Sequence, residues 1–68
     1  MHIFKLTFVK NEIDSCKVAH DAILDGNFAC EEHHGYLIHA LIKADSEDKA
    51  RDKAREIAAL VSAKNKVR

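Results

Sequence analysis

The sequence is poor in several features that mark common classes of function. It has only two glycines, three phenylalanines and one tyrosine, and its eleven basic residues balance its eleven acidic ones. A net charge of zero removes the long-range field that draws proteins to nucleic acid or anionic lipid. Two glycines are too few for a glycine-rich loop that binds phosphate. Four aromatic rings do not supply the stacking ladder of single-strand binders.

Long hydrophobic runs are also missing. No stretch approaches the roughly 18 apolar residues of a membrane-spanning helix. The first segment, MHIFKLTFVK, is interrupted by Lys5 and lacks the pattern of a signal peptide. We therefore expect a cytoplasmic protein that does not bind a membrane. Its two cysteines are then expected to be reduced thiols.

The length of 68 residues predicts a single small domain over residues 1–68. A chain of this size buries only about 60% of the surface that it exposes when unfolded. Its stability is therefore marginal, and reinforcement by a disulfide, a metal or self-association is expected.

Residues 2–10 alternate with the period of a strand, which places Phe4, Leu6 and Phe8 on one face. Over residues 12–25 the spacing of apolar positions changes to three and four, which favours an amphipathic helix. Asn11 suits its N-cap, and Gly26 with Asn27 suits its end. A strand remains the alternative, because Cys16, Val18, His20, Ala22 and Leu24 also alternate.

Residues 28–44 are predicted to form a hairpin with its turn near His34 and Gly35. Its second strand, residues 36–44, is apolar on both sides and is predicted to be central. One side carries Tyr36, Ile38, Ala40 and Ile42, and the other carries Leu37, His39, Leu41 and Lys43. The last segment is predicted to be a helix capped by Asp45 or Ser46, with an inner stripe of Ala50, Ala54, Ile57 and Val61.

This order predicts an α+β fold, a small β-α-β-β-α two-layer sandwich. Its three-stranded antiparallel sheet would carry both helices on one face, similar in topology to a ferredoxin-like fold without the final strand. The alternative is a four-stranded meander followed by a C-terminal helix. Neither topology by itself implies a function.

Two helices on one face would leave the other face of the sheet uncovered, and the first strand would lie at an edge. The uncovered face would display Ile3, Val9, Leu37, His39 and Leu41. Covering such side chains is worth several kcal/mol, at about 25 cal/mol per Å². We therefore expect a homo-oligomer, with a dimer favoured, that meets its partner through these five residues. Burial of His39 there would make assembly sensitive to pH.

Both cysteines and three of the five histidines fall within nineteen residues. Cys16, His20, Cys30 and His33 are a possible set of zinc ligands, although the spacing is weak. The simpler interpretation makes both thiols small core residues, with no cofactor. A nucleophilic pair of Cys30 with His33 or His34 would lack an orienting third residue.

The expected function is therefore that of a non-enzymatic interaction or ligand-binding module that acts as a homo-oligomer. Its partner is a protein or a small molecule that the sequence does not identify. The alternatives are a small zinc-binding domain and a nucleic-acid-binding protein that uses Lys64, Lys66 and Arg68. A further possibility is an enzyme site shared between subunits, built from Tyr36, His33, His34 and His39.

Overall fold

A computed structural model describes residues 1–66 of the chain. They form four strands and one helix: β1 His2–Val9, β2 Glu12–Val18, β3 Phe28–His33, β4 Tyr36–Ala44 and α1 Glu47–Lys66. The strands make one antiparallel sheet in the order β2-β1-β4-β3, so two hairpins lie side by side and pair through β1 and β4. The prediction of three strands and two helices is wrong. The alternative of a four-stranded antiparallel sheet with a C-terminal helix is confirmed, although the strands do not follow one another as in a meander.

The segment predicted as a helix over residues 12–25 forms strand β2 and a loop instead. Lys10 and Asn11 have φ angles of 53° and 63°, which makes them the two central residues of a tight hairpin turn. Ile13 and Cys16 lie three residues apart and both pack against the core, because the β1–β2 register shifts near Asp14. This β-bulge gives the two core-facing residues the three-residue spacing that is typical of one face of a helix.

A second bulge changes the predicted faces of β4. Glu31 pairs with His39 while Glu32 pairs with Leu37, so Ile38 has no partner in β3. Leu37 and Ala40 consequently point to the same side, and both are buried. Leu37, predicted on the uncovered face, belongs to the core, and Ile38, predicted in the core, is exposed.

The strand positions in the sheet also differ in part from the prediction. β1 is central rather than at an edge, because it pairs with both β2 and β4. The prediction that β4 is central is confirmed. The edges are β2 and β3.

Helix α1 lies across β4, β2 and β1 on one face of the sheet. Its predicted inner stripe is confirmed, since Ala50, Ala54, Ile57 and Val61 are all buried. Small alanines at the first two positions allow the helix to approach the sheet closely. The Ser46 hydroxyl accepts a hydrogen bond from the Lys49 amide at 3.3 Å, as an N-cap does. Within residues 1–66, no helix has the length and apolar character needed to cross a membrane.

The two hairpin turns lie at the same end of the sheet and are linked by Asn11. The second turn has His34 and Gly35 at φ angles of 55° and 82°, which confirms the predicted hairpin. The Leu37 amide donates to Asn11 Oδ1 at 2.7 Å, and Asn11 Nδ2 lies 3.5 Å from the Gly35 carbonyl oxygen. Asn11 thus satisfies a backbone group next to the bulge in β4.

Candidate functional site

The face of the sheet opposite α1 is the candidate site, and we call it the uncovered face. Alternation from the buried positions, corrected for the two bulges, identifies its members. They include Ile3, Lys5, Thr7, Val9, Asp14, Ser15, Lys17, Ala29, Glu31, Tyr36, Ile38, His39, Leu41 and Lys43. Four of the five residues predicted for the oligomer interface, Ile3, Val9, His39 and Leu41, therefore lie on one face, and Leu37 does not.

A row of four polar residues crosses this face, and we call it the His39 row. The strand registers align Ser15, Thr7, His39 and Glu31 from one edge to the other. The Ser15 and Thr7 hydroxyl oxygens are 2.6 Å apart and share a hydrogen bond. Glu31 Oε1 lies 3.4 Å from His39 Nε2. His39 Nδ1 is buried and has no hydrogen-bond partner among the described residues.

The next row along the strands, the Lys5 row, consists of Lys17, Lys5, Leu41 and Ala29. Lys5 stands directly opposite Lys17, an arrangement that destabilises a sheet because like charges face each other. Lys43 lies diagonally across from Lys5. In the part of the chain that the structure describes, no carboxylate forms an ion pair with any of these three lysines.

Apolar side chains occupy the end of the uncovered face near the turns. Val9 is 57% exposed, Tyr36 50% and Ile38 44%. Leu41 and Ile3 extend this apolar surface toward the other end, and both are half-buried. The face thus offers an apolar surface interrupted by two ordered polar rows.

The four proposed zinc ligands are not brought together in one chain. Cys16 pairs with Leu6, Leu6 with Ala40, and Ala40 with Cys30, so the thiols lie three strands apart. At about 4.8 Å per strand their separation is about 14 Å, too far for a disulfide or a shared metal. Over residues 1–66, no three His, Cys, Asp or Glu side chains are placed to hold a metal ion.

The two thiols also differ in environment. Burial raises the pKa of the Cys16 thiol, the Glu47 carboxylate raises it further, and Arg51 opposes both in part. A raised pKa disfavours the nucleophilic thiolate. Cys16 therefore lacks the surroundings of an activated nucleophile. Cys30 is exposed on the edge strand β3, while His20 lies in the loop that follows β2.

The remaining predicted residues are scattered. Lys64 Nζ lies 3.0 Å from Glu32 Oε1, which ties α1 to β3. The side chain of Lys66 and the whole of Arg68 lie outside the described residues. The His33 and His34 rings meet edge-on at the β3–β4 turn, with 4.0 Å between their centres. They are therefore at the end of the sheet, away from the His39 row.

Sequence reasoning placed Lys43 on the same side of its strand as His39 and Leu41, but it missed the cluster of Lys5, Lys17 and Lys43 and the role of Asn11. The sequence did indicate a turn at Asn11. Lys10 and Asn11 are the two residues between two segments of alternating hydrophobicity, which is the pattern of a hairpin. The proximity of the lysines could not be predicted, because they lie far apart in the chain and come together only through strand pairing. Comparisons of the chain with protein-family models, curated proteins and solved structures find no match.

Proposed function

We propose that the chain is a non-enzymatic interaction module of the cytoplasm that associates with a second copy of itself through the uncovered face. The observation that carries this proposal is the separation of the charges into rows. Asp14 and Glu31 lie at the level of the His39 row, whereas Lys17 and Lys5 lie in the next row. A reversed copy therefore brings the acidic Asp14 of one face over the basic Lys17 of the other.

The symmetry of such a pair follows from the rows. A two-fold axis that runs across the strands between the two rows lays the His39 row of one copy over the Lys5 row of the other. Lys17 then meets Asp14 of the second copy, and Leu41 meets the His39 ring. Two sheets packed in this way form an aligned sandwich, about 10 Å apart.

The size of the face is that of a small interface. Eight residues of β1 and four strands give a face of roughly 26 Å by 19 Å, or about 500 Å² per copy. The total of about 1,000 Å² lies at the lower end of specific interfaces. We therefore expect a weak dimer with a Kd of about 1–100 μM. Such a dimer dissociates into single chains on dilution.

Sedimentation from about 1 μM to about 1 mM tests the association, because this range brackets such a Kd. The mean mass should rise from the 7.6 kDa of one chain toward twice that value. Leu41→Glu should remain monomeric, and Glu is tolerated there because Lys5 is its cross-strand neighbour. Leu60→Glu is the matched control, since Leu60 is 67% exposed on α1.

Two results would contradict the proposal. The wild type would keep the mass of one chain at every concentration, or Leu60→Glu would weaken association as much as Leu41→Glu does.

Charge exchange tests the orientation of the two copies. Asp14→Lys and Lys17→Asp should each weaken association by about tenfold, because each places like charges across the interface. The double variant should recover most of the loss. If the double variant lost as much affinity as the two single variants combined, this pairing would be ruled out.

Single-stranded nucleic acid is a second candidate partner, favoured by the three lysines of the uncovered face that have no ion-pair partner in the described part. Fluorescence anisotropy with a labelled oligonucleotide of mixed sequence tests it. Three phosphate contacts would give a salt dependence of log K with a slope of about −2. Lys5→Gln should then reduce the slope by about 0.7. An oligonucleotide that does not bind at low salt would exclude this candidate.

A further inference from the structure

A groove of about 520 Å³ lies on the other side of the sheet, between the β1–β2 turn and the C-terminal half of α1. The helix contributes one stripe, Arg55, Ala58, Ala59 and Ser62, whose spacing keeps these residues on one face. Ile13 of β2 adds a larger apolar side chain. The volume falls within the range of about 300–1,000 Å³ that small-molecule sites occupy.

Two cationic side chains line the groove. Lys10 and Arg55 line it, and Glu12 is the carboxylate that lines it among the described residues. Arg55 Nη1 donates to Asp52 Oδ1 at 2.9 Å, and its other N–H groups remain available to a second acceptor. Lys10 and the remaining N–H groups of Arg55 thus place hydrogen-bond donors on cationic side chains beside an apolar wall, an arrangement that favours a carboxylate with an apolar body.

The conformation of Lys10 supports a role for its charge. Its φ of 53° lies in the left-handed region, where glycine, asparagine and aspartate are favoured over lysine. A lysine there costs stability, and such strain often coincides with function. The turn would be more stable with asparagine, yet this position holds a cation beside the groove.

We propose that this groove binds a small organic monocarboxylate with an apolar body. The carboxylate lies between Lys10 and Arg55, and the body packs on Ile13 and Ala58. The site is on the α1 side of the sheet and does not depend on self-association through the uncovered face.

A titration of ¹⁵N-labelled protein with sodium 4-phenylbutyrate, followed by amide chemical shifts, tests the site. We expect saturable shifts of residues 10–13 and 55–62. The uncharged 4-phenyl-1-butanol should bind about tenfold more weakly, because it lacks the carboxylate.

Lys10→Asn separates binding from folding. It should weaken binding of the acid severalfold while raising the melting temperature, because asparagine tolerates the left-handed conformation better. Arg55→Gln should weaken binding in the same way, and Lys49→Asn, which removes a lysine at the other end of α1, should leave it unchanged. Equal binding of the acid and the alcohol, unchanged binding by Lys10→Asn, or the absence of a saturable shift would each overturn the proposal.

Discussion

The two faces of the sheet use the same four strands, yet they are built in different ways. The face under α1 combines large side chains such as Leu6 and Ile42 with small alanines, and its centre is almost fully buried. The uncovered face places lysines, hydroxyls and one imidazole between half-buried apolar residues. The first arrangement stabilises one chain by close packing. The second leaves groups that a further molecule can contact.

The comparison also shows how a short sheet assigns residues to its faces. In β1, plain alternation does so, since Phe4, Leu6 and Phe8 are all buried. In β2 and β4, a bulge reverses the alternation partway along the strand. Both bulges lie next to the His39 row, so the irregular part of the sheet coincides with its polar row.

The largest expected difference between the faces is in the cost of shortening a leucine. Leu6 is completely buried, and Leu6→Ala should cost about 2–5 kcal/mol, a large share of the roughly 3–10 kcal/mol expected for this length. Leu41→Ala, on the uncovered face, should cost less than about 1 kcal/mol in the monomer. Urea unfolding at low protein concentration measures both. Equal losses would mean that the two faces do not differ in packing.

The next largest effect should come from Asn11, which connects the two hairpins. Asn11→Gly keeps the left-handed turn but loses the bond to the Leu37 amide, at a cost of about 1 kcal/mol. Asn11→Ala also strains the backbone and should cost about 1 kcal/mol more. Thermal and urea unfolding of both variants give the comparison. Identical stabilities would show that the turn conformation at Asn11 contributes nothing.

A smaller effect of opposite sign should come from the lysine pair. Lys17→Glu should stabilise the monomer by about 0.2–1 kcal/mol, because it replaces repulsion by attraction opposite Lys5. The gain should shrink at high salt, where exposed charges are screened. Urea unfolding at two salt concentrations measures it. A loss of stability at low salt would contradict the assigned register.

The smallest effect should appear at alkaline pH, through Cys16 on the α1 side. Its pKa is raised above the ordinary 9.0, so the folded state keeps the thiol proton to a higher pH than the unfolded state does. This contribution is complete below the unfolded pKa and disappears as the pH rises through the folded pKa. Unfolding midpoints between about pH 7 and pH 10.5 should therefore fall slightly less for Cys16→Ala than for the wild type. If the unfolding midpoints of the two proteins fell equally with pH, Cys16 would make no such contribution.

The regular parts of the fold could be predicted from the sequence, and the irregular parts could not. The strict alternation of β1, the glycine of the second turn and the stripe and cap of α1 are local signals, and they place those elements correctly. The β2 and β4 bulges depend on which strand lies alongside and on the bond between Asn11 and Leu37, 26 residues apart. A pattern read along one strand does not contain that information.

The same limit applies to the candidate site. Ile3, Val9, His39 and Leu41 could be assigned to the uncovered face because each follows the alternation of its own strand segment. Leu37 could not, because the bulge at Ile38 lies between it and His39. The juxtaposition of Lys5, Lys17 and Lys43 depends on the strand order β2-β1-β4, which brings together residues far apart in the chain.

The most direct test of the central claim is an isotope-filtered NOE measurement on a mixture of labelled and unlabelled chains at about 1 mM, above the expected Kd. The face-to-face pairing predicts contacts between the Leu41 methyl groups of one copy and the His39 ring of the other. Contacts between copies confined to the edge strands β2 or β3, or none at all, would contradict it.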